Sequence, residues 1–282
     1  MKVRVLTAIG IAAVGIPLVI FSQYIIFPIA LAILSVMAVF EILRVLGAEK
    51  NYYLALPSYL VSALLPFFSY GYFTDRVGGL KAFLLIEALT LFALLIYFAF
   101  VAVFSGGKIE YKTVSQALTA VIYVTVSFSS LCQLRYLEWG GYLFALVFIG
   151  AWTCDTFAYF TGMLLGKHKL CPNLSPKKTV EGAIGGTLFA IGGFLLYGFI
   201  VESCSSLTAN YLYLALSGLL VAVISQLGDL FASLIKREYG VKDYSKLLPG
   251  HGGIMDRFDS IMAVSTVLLV ICLVFPPFTV AV

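Results

Sequence analysis

About nine apolar runs, each close to the length that crosses a bilayer, dominate this sequence and leave little else for it to build. They fall near residues 5–22, 25–46, 52–73, 80–105, 113–137, 139–165, 180–202, 211–237 and 256–280. Roughly 20 apolar residues in helical form span the hydrocarbon layer. Of the 282 residues 61% are hydrophobic and only 11% charged, whereas a soluble domain carries about 25% charged residues. The expected fold is all-α, a polytopic helical membrane protein with about nine transmembrane helices.

An odd number of spans puts the two termini on opposite sides, and the basic residues decide which. With the N-terminus cytoplasmic, the inner flanks collect Lys2, Arg4, Arg44, Lys50, Lys108, Lys112, Lys167, Lys169, Lys177, Lys178, Lys236, Arg237, Lys242, Lys246 and Arg257, and the outer ones keep Arg76, Lys81 and Arg135. Such a split orients the chain in the cell (inner or plasma) membrane with its charged loops inside. Met1 to Arg4 before an apolar run resembles a signal peptide, but a second run follows at once without a small-residue cleavage site, so an uncleaved first span is expected. The five cysteines show no metal or disulfide spacing and read as packing residues.

Two halves differ in content. Residues 1–137, about five helices, show Glu41 and Glu87 inside apolar segments, read as interhelical hydrogen-bonding groups in preference to functional ones. Residues 138–282, about four helices with cytoplasmic loops at 166–179 and 238–255, hold the chemistry.

Its densest part is Ser225 to Ser260. On a helix, Ser225, Asp229, Ser233 and Lys236 share one face of an otherwise apolar rod. Asp229 then lies roughly 10 Å before Lys236, below the membrane surface, where a carboxylate needs a partner or a wet cavity. Asp256 and Asp259 point together from the first turn of the next helix. Three carboxylates of this kind suit a hard cation such as Mg²⁺, with a second cation allowed. Pro249-Gly250-His251-Gly252-Gly253 leads into that helix, and its amides are expected to cradle a phosphate.

Upstream, Asp155 is read as a second buried carboxylate on a face shared with Tyr159, Gly162 and Gly166. Ser175-Pro176-Lys177-Lys178-Thr179 sets hydroxyls and cations just before a helix, which suits phosphate, although capping by Thr179 explains half of that pattern. Gly182 and Gly186 read as a close helix contact.

From Ser233 through Lys236-Arg237, Lys242-Asp243, Ser245 and Leu248-Pro249-Gly250-His251-Gly252-Gly253 to Asp256-Arg257-Phe258-Asp259, the sequence resembles without a gap the signature of the phosphatidate cytidylyltransferases. More than a dozen positions in register make a specific match. The preceding stretch is similar to the same family in its D-x-x-A-Y at Asp155, its Gly166-Lys167 and its Ser175-Pro176-Lys177-Lys178-Thr179-x-Glu181-Gly182.

The resemblance covers about the last 130 residues specifically and implies transfer of CMP from CTP to phosphatidic acid. It implies Asp229, Lys236, Arg237, Asp256, Arg257 and His251 as catalytic residues. Lys167, Ser175, Lys177, Lys178, Thr179, Ser233, Lys242, Gly252 and Gly253 are implied in substrate binding, and Asp229, Asp256 and Asp259 as ligands of Mg²⁺. Asn at Asp229 or Asp256 is expected to abolish turnover without loss of stability. The expected partners are CTP, phosphatidic acid and membrane lipids, with no nucleic acid; glycine-rich faces allow a homodimer and equally packing within one subunit. An ion-coupled transporter or lipid flippase, or a lipid or polyprenol kinase, is the alternative that intramembrane acids leave open.

Overall fold

A computed structural model describes residues 2–74 and 79–280, so Arg76 lies outside the described residues. The helices among them are α1 (Lys2–Ile20), α2 (Ile26–Val45), α3 (Tyr52–Thr74), α4 (Gly79–Phe104), α5 (Tyr111–Tyr136), α6 (Gly140–Leu165), α7 (Val180–Cys204), α8 (Tyr211–Glu238) and α9 (Met255–Val274). Hydrocarbon offers no water to an open N–H or C=O, which selects this form. Eight of them, α2 to α9, are long and apolar enough to cross a membrane, while α1 contributes the shorter apolar run Val5–Ile20. The about nine helices expected are present, eight of them of spanning length among the described residues.

Two small sheets interrupt the helical pattern. Strands β1 (Lys169–Cys171) and β2 (Ser175–Thr179) pair antiparallel, Lys169 opposite Thr179 and Cys171 opposite Ser175. Strands β3 (Leu207–Ala209) and β4 (Phe278–Val280) pair with Leu207 opposite Val280. The run expected to be helical to residue 280 therefore stops at Val274: Pro276 and Pro277 cannot continue a helix, and the chain beyond them is extended.

The chain forms two compact units, one comprising the residues up to Leu137 with Tyr239–Arg257, the other Glu138–Glu238 with the chain from Phe258 onward. The loop assigned to the second half groups instead with the first unit.

Within the first unit α2, α3 and α5 pack mutually, with α4 against α3 and α5. Ala38, Val39, Ile42 and Leu43 of α2, Leu54 of α3 and Val121, Val124 and Phe128 of α5 are buried there. Glu87 accepts from Gln133 Nε2 at 3.4 Å, the interhelical partner expected of an acid at that depth.

In the second unit α7 packs on both α6 and α8, which also meet each other. Cys154, Ala190 and Ala222, one from each helix, join in a buried core. Small residues allow the approach: a Cβ on Gly186 would lie 2.6 Å from the Cys154 carbonyl oxygen, and one on Gly182 2.6 Å from that of Ala158. This is the helix contact expected of the Gly182/Gly186 pair. Gln226 on α8 donates from Nε2 to Thr187 Oγ1 at 3.2 Å, a polar tie inside the same helix trio.

Candidate active site

The polar stripe of α8 is realised in the second unit: Ser225 is buried, and Asp229, Ser233 and Lys236 are partly exposed along the same face. Hairpin β1–β2 delivers the partner of Asp229. Lys178, next to last in β2, sets its Nζ 2.5 Å from Asp229 Oδ2, with 25% and 30% of the two side chains exposed. At the turn of the hairpin Leu174 O lies 3.5 Å from Arg237 Nε, so the end of α8 is held to the same hairpin.

Asp155, Asp229 and Asp259 stand within electrostatic reach of one another, with Lys178 facing Asp155 and Lys236 near Asp259. Ser260 on α9 donates to Asp155 Oδ2 at 3.4 Å. Asp155 keeps accessible surface on α6 beside this cluster. Ser260 escaped the sequence reading; its only signal is its place one residue after Asp259.

Other residues expected to bind substrate have local duties. Thr179 is 7% exposed and caps α7, its Oγ1 accepting from Gly182 N at 3.1 Å. That hydroxyl is spent on the helix end, and a Cβ at Gly162 would lie 2.8 Å from it. The capping box is half complete: Glu181 turns back to accept from Lys167 N at 3.1 Å and to meet His168 Nδ1 at 2.6 Å. Lys167, Lys177 and Arg237 are exposed and Ser175 is partly exposed, available to a soluble ligand.

The first unit holds the signature loop. Gly250 and Gly252 take φ of 77° and 86°, left-handed values that glycine adopts without strain. Inside this turn His251 N donates to Leu248 O at 2.8 Å and Gly252 N to the same oxygen at 3.1 Å. Asp256 is buried, and its Oδ2 accepts from Tyr244 N at 2.8 Å and from Gly253 N at 2.9 Å. Glu41 accepts from Ile254 N at 3.1 Å and from Met255 N at 2.9 Å.

The amides expected to cradle a phosphate at Gly252, Gly253 and the start of α9 are thus already donating, to a carbonyl and two carboxylates. Lys242 and Arg257 are exposed and His251 is partly buried. The sequence reading missed Glu41 as a partner of this loop, although an acid and Arg44 one turn apart on an apolar helix were visible.

Of the carboxylates expected to share a cation, Asp256 belongs to the first unit and Asp229 and Asp259 to the second. Among the described residues no three His, Cys, Asp or Glu side chains converge as a metal-binding group. The donor chemistry of the second unit, oxygen from Asp155, Asp229 and Asp259, nonetheless fits a hard cation that completes its shell with water and phosphate.

Eight helices of spanning length among the described residues and a carboxylate–lysine cluster define a multi-pass membrane protein with a site chemically suited to phosphate groups. The chain belongs to the Cytidylyltransferase family, whose model matches residues 2–275. It is 37% identical over 272 residues to the phosphatidate cytidylyltransferase of Bacillus subtilis (strain 168), covering 94% of each chain. Proteins of the same name from Thermotoga maritima and Staphylococcus epidermidis are 39% and 40% identical over 161 and 162 residues, 56% and 57% of this chain.

Proposed function

We propose that this protein is a phosphatidate cytidylyltransferase that converts CTP and phosphatidate into CDP-diacylglycerol and pyrophosphate. The observation that carries this is the similarity along 94% of the chain to the Bacillus subtilis protein of that name. In the reaction a phosphate oxygen of phosphatidate attacks the α-phosphorus of CTP. The new P–O bond forms as the bond to the β-phosphate oxygen breaks, and the electron pair leaves with pyrophosphate.

Two anions must be brought together, so positive charge has to stand beside them. In the second unit Lys178 and Lys236 flank the carboxylate cluster, while exposed Lys177 and Arg237 meet the water-soluble nucleotide. Asp229 and Asp259 would hold Mg²⁺. A bound Mg²⁺ supplies charge compensation to the leaving phosphates. Asp229 orients Lys178 through their ion pair, and Ser260 orients Asp155. The distribution of Lys and Arg along the sequence supports a site facing the cytoplasm, where CTP and Mg²⁺ are available.

The deciding experiment gives purified full-length protein CTP labelled at the α- or γ-phosphate, phosphatidate, and Mg²⁺ or a chelator. Label from the α-phosphate should enter the lipid only with phosphatidate and Mg²⁺ present. Lipid labelled from the γ-phosphate would instead mean a kinase, and no labelled lipid in either case would overturn the assignment.

A further inference from the structure

We propose that Glu41 is a positioning residue for the reaction, fixing the middle of the signature loop to the start of α9; this rests on the cytidylyl-transfer reading above. Glu41 lies in α2, far from the signature in sequence, and is 2% exposed. Its Oε1 accepts from Ser245 Oγ at 2.6 Å and from Ile254 N at 3.1 Å, and its Oε2 accepts from Met255 N at 2.9 Å. One carboxylate therefore ties the middle of the loop to its end.

A second set of bonds closes the same gap. Asp256 Oδ2 joins Tyr244 N to Gly253 N. Arg44, three residues beyond Glu41 on the same helix face, donates from Nη2 to Tyr244 O at 3.0 Å. Tyr244 is thus gripped by its N–H and its C=O, and its ring is buried. Gly253 leaves room for the clamp: a Cβ there would stand 2.3 Å from Glu41 Oε2.

Burying a carboxylate at membrane depth is costly, and a neutral contact would serve if closing a loop were all that was needed. A carboxylate facing a helix N-terminus accepts strong, directional hydrogen bonds from the open amides there. Here that rigidity is applied to the loop with Lys246 and His251 and to the helix turn with Asp256. Groups that act on a transferring phosphate tolerate little displacement, and a shift of about 1 Å can cost about 100-fold in rate.

Glu41→Gln preserves size but turns one acceptor oxygen into a donor amide facing a donor, so the clamp loses at least one bond. The test compares wild type, Glu41→Gln and the milder Ser245→Ala as full-length protein in detergent, by steady-state kinetics and by limited trypsin cleavage after Lys242 and Lys246. For Glu41→Gln kcat should fall roughly 10- to 100-fold with KM for CTP nearly unchanged, and cleavage should accelerate; Ser245→Ala should move both in the same direction by less. Loss of structure alone would lower the active fraction without exposing this loop selectively, and Ser245→Ala decides if Glu41→Gln does not fold.

Faster cleavage with unchanged kcat in both variants would overturn the proposal, reducing Glu41 to a loop tie. Unchanged cleavage would overturn it as well. A wild-type protein without transfer activity would overturn the reaction reading instead, a result that the cleavage pattern separates from failure of the clamp.

Discussion

Lys178 Nζ lies 2.5 Å from Asp229 Oδ2, joining a hairpin to the polar face of a membrane helix across about fifty residues of sequence. Both side chains keep some exposure, so the pair contributes at most about 1 kcal/mol to stability. Its interest is chemical. Lys178→Glu sets two like charges together and should lower kcat/KM for CTP by at least about tenfold with a thermal midpoint near that of wild type. Lys177→Glu, on an exposed neighbour, should be milder. Equal and wild-type kinetics for both would make this hairpin a topological flank only.

Asp229→Asn and Asp259→Asn should each remove most turnover and leave a folded protein, because Asp229 meets Lys178 in a partly exposed ion pair and the Ser260 amide 2.8 Å from Asp259 Oδ1 is its immediate neighbour in the chain. Removing a ligand charge weakens cation binding, so raising Mg²⁺ should restore part of the rate. Activity at two Mg²⁺ concentrations checks this; a wild-type rate in Asp229→Asn would remove the α8 stripe from the mechanism.

Asp256→Asn is expected to behave differently from Asp229→Asn, against the simple view that loss of a buried charge spares stability. Its Oδ2 receives two amides of the signature loop. An amide nitrogen turned toward them leaves donors unpaired at a cost of about 1–3 kcal/mol. Thermal melts should show a clear drop for Asp256→Asn and little change for Asp229→Asn.

Gly186→Ala should destabilise the second unit, since the new Cβ would meet the Cys154 carbonyl at 2.6 Å and Ala158 Cβ at 2.9 Å. Overpacking against backbone costs about 1–3 kcal/mol. Gly192→Ala is the control, as open space surrounds that position. A lower melting temperature for the first variant only is the expected result.

Orientation can be read at Lys246→Cys or Lys177→Cys, both exposed positions. An impermeant thiol reagent should label neither in intact cells and both after permeabilisation. Ser245 would be a poor reporter, being buried on Glu41.

The sequence by itself determined the helices and the chemical types at the site. Apolar length dictates spanning helices in a medium without water, and helical periodicity alone sets Ser225, Asp229, Ser233 and Lys236 of α8 on one face. Local chemistry was equally readable in Thr179 as a helix cap and in Gly182 and Gly186 as a close contact. Only tertiary structure decided what each polar group meets. The pairing of Lys178 with Asp229, the bond from Ser260 to Asp155, and the capture of Ser245, Ile254 and Met255 by Glu41 all join residues distant in the chain. Hydropathy marks such a residue as costly to bury but does not name its partner, because hydrogen bonds and ion pairs depend on positions fixed by the packing of whole helices. For that reason the signature loop looked like part of the second half and an open phosphate cradle, whereas packing gives it to the first unit with its amides already bound.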